Sequence, residues 1–465
     1  MMDNKHNPGD GNPQRIEEGD RGAVWHAFTQ MADYQPFIIE QADGCELIDT
    51  DGNRYLDAVS SLWCNVHGHN HPTMNAAIVE QLHRVSHVTS LGMSNPTTAK
   101  LAARLVQLAP EGLEHVFFSG DGASSVEVAL KMAFQYWRQC DDPQPEKSLF
   151  IALGRAYHGD TLGSVSVGGV ARFHEMFKPL LFETIQMPIP DRDHLPAGVP
   201  SENACQHYLS ELERVLEKHH RQTAAVIMEP LVQGAAGMVM HPDGYLAGVR
   251  NLTRRYNVLM IADEVAVGFG RTGTMFACQQ EEVAPDLLCL AKGLTGGYLA
   301  MAATLASGDI FNAFLGDPSR TFFHGHTYGG NPLAAAAALA SLDIFEQEQT
   351  LQQLPATIHH LQHCLQHLGN HPLVADVRQR GMIAAVELVK KTLNGHSLPD
   401  QGRAGAIVCQ HARKLGVWLR PLRDILVIMP PLSVSQQQVS RIVDALEAGM
   451  DQLAYQLQQA QCQEN

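Results

Sequence analysis

Two residues have the types and positions for amine–carbonyl chemistry: Asp263 in Val258-Leu-Met-Ile-Ala-Asp263-Glu264, and Lys292 in Asp286-Leu-Leu-Cys-Leu-Ala-Lys292-Gly293. Each follows an apolar run that reads as a buried strand. A lysine desolvated there loses proton affinity and becomes a nucleophile for an aldehyde. A carboxylate facing a pyridine nitrogen keeps that nitrogen protonated, and the charged ring accepts electrons from a substrate carbanion. Taken singly, each residue also fits an ordinary role, the acid capping a loop and the lysine exposed at a strand exit. A third feature is Phe118-Ser-Gly-Asp-Gly-Ala-Ser124, a glycine-rich turn between strand and helix. Its N–H groups and the helix amino end suit a phosphate. It is neither a dinucleotide fingerprint nor a Walker loop, since no Gly-Lys-Ser/Thr follows. Their order carries the weight: phosphate turn, strand-end acid, strand-end lysine, then the loop His324-Gly-His-Thr-Tyr-Gly-Gly-Asn-Pro332.

Positioning these groups needs a sheet whose strand ends share one edge. Apolar runs at His115–Phe118, Leu149–Leu153, Ala224–Met228, Val258–Ala262, Leu287–Leu290 and Met301–Ala306 alternate with helical patterns such as Ser124–Arg138. This pattern predicts an α/β fold with a mostly parallel sheet covered on both faces, and ligands bind at the carboxyl ends of such strands. The tail predicts strands over Val374–Leu388 broken at Gly381, a helix from about Gly405, strands at Val417–Arg420 and near Leu426, and a closing helix from Ser433. The expected organisation is a large domain over 76–339, a smaller α/β domain from 21–75 and 340–465, and a flexible tail over 1–20. Pro332–Gln349 reads as one long connecting helix, and Gln458–Asn465 as a frayed end.

A net charge of −16 argues against nucleic acid or an anionic membrane as partner. No apolar run reaches the roughly 18 to 20 residues of a membrane span, and the polar start does not resemble a signal peptide. Nine cysteines without CxxC pairs point to free thiols in the cytoplasm. His67, His69 and His71 are closely spaced, but no acid or cysteine stands at ligand spacing, so no metal is expected.

The stretch Leu259-Met-Ile-Ala-Asp-Glu-Val-Ala-Val-Gly-Phe-Gly-Arg-Thr-Gly273, with Pro285-Asp286 and Lys292-Gly293, resembles the signature of class III aminotransferases, pyridoxal-phosphate (PLP) enzymes of fold type I. The resemblance runs from about Val24 to the closing helix. It implies that Lys292 holds PLP as a Schiff base and shuttles the proton between substrate and cofactor carbons. It implies too that Asp263 pairs with the pyridine nitrogen, Val265 packs on the ring and Tyr157 stacks over it. Gly122 and Ala123 contact the phosphate. His326 and Thr327 also bind cofactor, Thr327 by reaching the phosphate of a neighbouring subunit, which implies a homodimer with shared sites.

Within the class, Val24–Met31, Ser60–Pro72, Tyr157–Thr161 and Val417–Pro421 are similar to the branch that aminates 8-amino-7-oxononanoate in biotin synthesis. There the arginine matching Arg420 grips a substrate carboxylate through paired hydrogen bonds. The same resemblance implies that Phe28, Trp63, Tyr157 and Gly325 line the apolar substrate chain, although Phe28 and Trp63 suit core packing equally well. Phe28 replaces a tyrosine, and Leu62-Trp63 a tryptophan pair, of the form that uses S-adenosylmethionine as donor. Val427 stands where that form has another tyrosine. These differences lean towards lysine as donor. Ala123 stands where the family usually has Ser or Thr, costing the phosphate turn a hydroxyl. Alternatives are another class III ω-aminotransferase acting on a diamine or amino acid, a PLP-dependent aminomutase or decarboxylase, and a non-catalytic PLP-binding protein.

Overall fold

The computed structural model describes residues 13–390, 398 and 403–464. Seven strands form the central sheet: β1 (Leu113–Ser119), β2 (Leu149–Leu153), β3 (Ile185–Met187), β4 (Thr223–Met228), β5 (Leu259–Asp263), β6 (Leu287–Leu290) and β7 (Ala302–Ser307). Their spatial order is β1-β7-β6-β5-β4-β2-β3. The pairs β5/β6, β4/β5, β2/β4 and β2/β3 are parallel. β7 departs from the parallel pattern, running antiparallel to both β6 and β1. Because β7 is reversed twice over, β1 points the same way as β6, and the carboxyl ends of the other six strands share one edge.

Every residue of β4, β5 and β6 is buried, which explains their unbroken apolar runs. One face is covered by the helix Gly122–Gln139, whose Val126, Ala129, Leu130, Ala133 and Trp137 recur at helical spacing. They pack on Phe150, Ala225, Ile261 and Leu287 of the sheet. Trp137 Nε1 donates to the Ala224 carbonyl at 2.8 Å, so the ring is buried without an orphaned donor.

Pro332–Gln347 is a helix, as its alanine-rich run suggests; the chain turns at Gln349 (φ +49°) into a further helix, Thr350–Leu368. Beyond it, Val374–Arg380 and Ile383–Leu388 pair antiparallel around Gly381. At Gly381, φ is +61° and a Cβ would lie 2.5 Å from the Arg271 carbonyl oxygen, so only glycine fits. Ile425–Ile428 and Pro421–Leu422 complete that sheet. The strand expected over Val417–Arg420 covers only Val417–Trp418, which pairs parallel with Arg54–Asp57. N-terminal strands therefore share a sheet with the C-terminal part. The final helix runs Gln436–Glu464, through the stretch read as a frayed end. Within the stretch read as a tail, Pro13–Ala23 is helical, and residues 1–12 lie outside the described ones. Among the described residues no helix is long and apolar enough to cross a membrane.

Candidate active site

The carboxyl ends of the strands open on a cavity of about 680 Å³ whose wall includes Trp63, Gly122, Ala123, Tyr157, Asp263, Val265 and Lys292. Seven of the twelve residues singled out in the sequence thus meet in one place.

At one end stands the start of the helix Gly122–Gln139. Asp121 caps it, its Oδ1 accepting the Ser124 N–H at 2.8 Å. The N–H groups of Gly122 and Ala123 have no acceptor within the helix, so they and the helix dipole are available to an anion. A Cβ on Gly122 would lie 2.6 Å from Val265 Cγ1, so glycine is what lets Val265 press against the helix start. Gly159 has φ +119°, and a Cβ there would lie 2.3 Å from that of Ala123. Its absence allows the Tyr157-His-Gly segment to lie against the same turn.

Asp263 ends β5 and is buried, with 3% of its surface exposed. Oδ1 accepts the Val265 N–H at 3.0 Å, and Oδ2 is 2.6 Å from Nδ1 of the buried His158. Burial disfavours charge on His158, but the hydrogen bond and negative charge of Asp263 outweigh it and raise the imidazole's pKa. His158 therefore donates from Nδ1 to Asp263 Oδ2 and fixes the orientation of that side chain.

Lys292 follows β6 with φ +45°, a left-handed backbone rare for a residue with a side chain. Burial pulls its pKa below the usual 10.5, and the charges of Asp263 and Glu229 partly restore it. The Nζ lies 5.0 Å from the centre of the Trp63 ring. Trp63 reaches the site on a tightly bent turn, with φ of +53°, +62° and +64° at Ser60, Ser61 and Trp63. Asp57 organises that turn, accepting the Val59 N–H at 3.2 Å and the Ser61 N–H at 2.7 Å.

Five predicted residues are not part of this wall. Phe28 is exposed; its ring is 5.2 Å from that of Phe173, which is 6.1 Å from Tyr157, so it stands one aromatic ring behind the cavity. Arg420 is exposed and has no hydrogen-bond or ion-pair partner among the described residues. Gly325 and Thr327 are exposed, and the Thr327 carbonyl accepts from His87 Nε2 at 2.8 Å. His326 packs its ring 3.4 Å from the Cβ position of Gly120, with Nε2 buried and unpartnered. The Tyr157 hydroxyl donates to Asp160 at 2.7 Å. The three clustered histidines turn to separate partners: His67 to Ser341, His69 to Asp57 and His71 to Glu348, at 3.0, 2.9 and 3.0 Å.

Sequence reasoning assigned nothing to His158, Glu229, Asp57 or Phe173. Glu229 directly follows the apolar run Thr223–Met228, the same signal that drew attention to Asp263, whereas His158 lies five residues beyond its strand and carries no such signal. Asp57 and Phe173 carry no such mark.

These parts fit PLP. The open helix start suits its phosphate, the buried acid its ring nitrogen, and the amine of Lys292, of lowered pKa, its aldehyde. A family model described as aminotransferase class-III matches residues 28–450. The chain is 50% identical over 441 residues to adenosylmethionine-8-amino-7-oxononanoate aminotransferase of Nitratidesulfovibrio vulgaris, covering 94% of this chain and 81% of that one. Against the Aquifex aeolicus protein of the same name it is 47% identical, covering 95% and 98%. The crystal structure of the Methanocaldococcus jannaschii protein of that name superposes with a TM-score of 0.88 at 40% identity, covering 95% and 99%. An ω-transaminase from Thermomicrobium roseum superposes at 0.90 with 33% identity, covering 95% and 99%. A site of this composition, in a chain matched over most of its length by such relatives, leads to one assignment: the chain belongs to the class-III aminotransferases, PLP-dependent transaminases of fold type I.

Proposed function

We propose that this enzyme transfers an amino group to 8-amino-7-oxononanoate, turning its ketone into the second amine of 7,8-diaminononanoate in biotin synthesis. One observation carries the reading. Lys292, Asp263 and the helix start at Gly122–Ala123 face a single cavity, in a chain 47–50% identical to proteins named for this acceptor.

Bound PLP supplies an aldehyde for the incoming amine and a protonated ring that takes up electrons. The chain's residues do the rest. Gly122 and Ala123 N–H groups hold the phosphate. Asp263 keeps a proton on the ring nitrogen, and His158 keeps Asp263 turned towards it. Val265 and Tyr157 bound the ring. Lys292 Nζ, kept short of protons by burial, would serve as the base that takes the proton from the amine-bearing carbon and, once protonated, as the acid that gives it back. Arg420, without a side-chain partner among the described residues, takes the acceptor's carboxylate. Trp63 and Tyr157 flank its apolar chain, with Phe28 behind them through Phe173.

His326 and Thr327 belong in this reading to a homodimer, Thr327 serving the partner's phosphate. Support comes from a patch around that loop, where Leu91, Met93, Phe323 and Tyr328 are 67%, 57%, 80% and 65% exposed. Apolar surface of that extent beside one loop suits an interface. We place the enzyme in the cytoplasm, where the eight described cysteines, all free, suit reducing conditions.

For the donor, the relatives' name gives adenosylmethionine, and we take that as the first reading. Lysine is the second, favoured by Phe28 and by Leu62, which stands exposed beside Trp63 without the second indole. The deciding experiment incubates the PLP-loaded enzyme with 8-amino-7-oxononanoate and either S-adenosylmethionine or lysine, and measures diaminononanoate. Product with one donor assigns it. Product with neither, from enzyme that turns over other amines, overturns the acceptor reading.

A further inference from the structure

A second buried acid borders the active-site cavity, and the reaction outlined above gives it no task. Glu229 follows β4 and Asp263 ends β5, parallel neighbours whose last pairing is Met228 with Ala262, so the two acids emerge side by side. Glu229 is 4% exposed and borders the same cavity. Its two oxygens are divided between two segments. Oε1 accepts the Tyr157 N–H at 3.2 Å, and Oε2 accepts the Gly234 N–H at 2.9 Å. Gly234 lies under Trp63: a Cβ there would be 3.3 Å from that ring and 3.7 Å from Glu229 Oε2. One carboxylate thus joins the backbone bearing Tyr157 to the turn beneath Trp63.

The titratable groups facing Glu229 are Tyr157 and His158 on one segment, Asp263 on the adjacent strand end and Lys292 across the cavity. Burial first, and the Asp263 charge in addition, lift the Glu229 carboxyl to about 7, against the pull of His158 and the two N–H donors. Its charge in turn favours the protonated forms of both His158 and Lys292.

We propose that Glu229 is a positioning residue for transamination, tying the Tyr157 segment to the turn beneath Trp63 and setting a second carboxylate, beside Asp263, in the wall of the cavity that holds the cofactor-bearing nitrogen of Lys292. A glutamate is required for both parts. Glutamine has a single acceptor oxygen and would set its own N–H₂ against one of the backbone donors. Aspartate keeps the charge and loses reach to one donor.

The inference rests on Lys292 carrying the cofactor, and Lys292→Ala tests that separately through the visible band of the lysine-bound cofactor. The test of Glu229 is a pH titration of the same band in the PLP-loaded full chain, which requires no substrate. Glu229→Gln should lower the midpoint by about half a unit or more, because an anion beside the protonated nitrogen is removed. Glu229→Asp should keep the midpoint within about 0.2 units of wild type while raising KM for the amine donor about tenfold, since the walls are no longer tied. An unmoved midpoint in Glu229→Gln overturns the proposal, as does a shift in Glu229→Asp equal to that in Glu229→Gln. If Glu229→Gln does not fold, the Glu229→Asp titration decides alone: a retained midpoint with raised KM supports the proposal, and any other result overturns it. Loss of the band in Lys292→Ala with no effect of either Glu229 variant would fail this proposal alone; a band retained in Lys292→Ala would fail the reading beneath it.

Discussion

His158 Nδ1 lies 2.6 Å from Asp263 Oδ2, and both side chains are buried at the end of β5. A carboxylate so placed cannot rotate freely, because the neighbouring imidazole holds one oxygen and the Val265 N–H holds the other. Two consequences can be measured. Asp263→Asn should retain PLP but lose about 100-fold or more in turnover, because an amide cannot hold the ring nitrogen protonated. Near-normal turnover in that variant would refute the role given to Asp263.

The same pair has a pH signature. The folded-state pKa of His158 is raised above 6.5, so its contribution to stability is complete below that value. It fades as pH rises through the folded-state pKa. Thermal unfolding of the cofactor-free protein should show His158→Asn less stable than wild type at pH 6, with the gap narrowing as pH increases. A gap that widens with pH would contradict the sign.

Lys292→Ala should abolish the visible band of the lysine-bound cofactor and cut turnover by about 100- to 10,000-fold. Absorption spectra and single-turnover kinetics check both. Survival of the band would show that another amine carries the cofactor.

Gly122→Ala tests the close approach at the helix start. Its Cβ would lie 2.6 Å from Val265 Cγ1, an overlap costing about 1–3 kcal/mol. Weaker PLP binding by equilibrium dialysis is expected, because Val265 must move where the ring would pack. Unchanged affinity would mean that Val265 yields without affecting the site.

Arg271 is buried, its guanidinium donating to the carbonyls of Pro430 and, at 2.6 Å, Asn65. It joins the segment after Trp63 to the C-terminal part. Arg271→Ala should cost about 3–5 kcal/mol in urea unfolding, since it leaves a cavity and two buried carbonyls without donors. Arg420→Ala, by contrast, removes an exposed side chain. It should leave stability unchanged and raise KM for the carboxylate-bearing acceptor about 10- to 100-fold.

The residues whose position follows from their own strand were legible in the sequence. Asp263 and Lys292 end unbroken apolar runs because both faces of β5 and β6 are covered, and such runs leave a one-dimensional trace. The phosphate turn was legible for the same reason, since a strand, a glycine-rich turn and an amphipathic helix are consecutive in the chain. The tertiary structure decided what depends on partners distant in sequence. His158 meets Asp263 across 105 residues, and Arg271 meets Pro430 across 159. Trp63 comes to within 5.0 Å of Lys292 on a turn whose N–H groups Asp57 holds. Contacts of this kind leave no periodic signal, because they are set by the order of strands in the sheet and by loops folding over its edge. The antiparallel β7 belongs to the same class: its apolar run fits either direction, and only its pairing with β6 and β1 chose one.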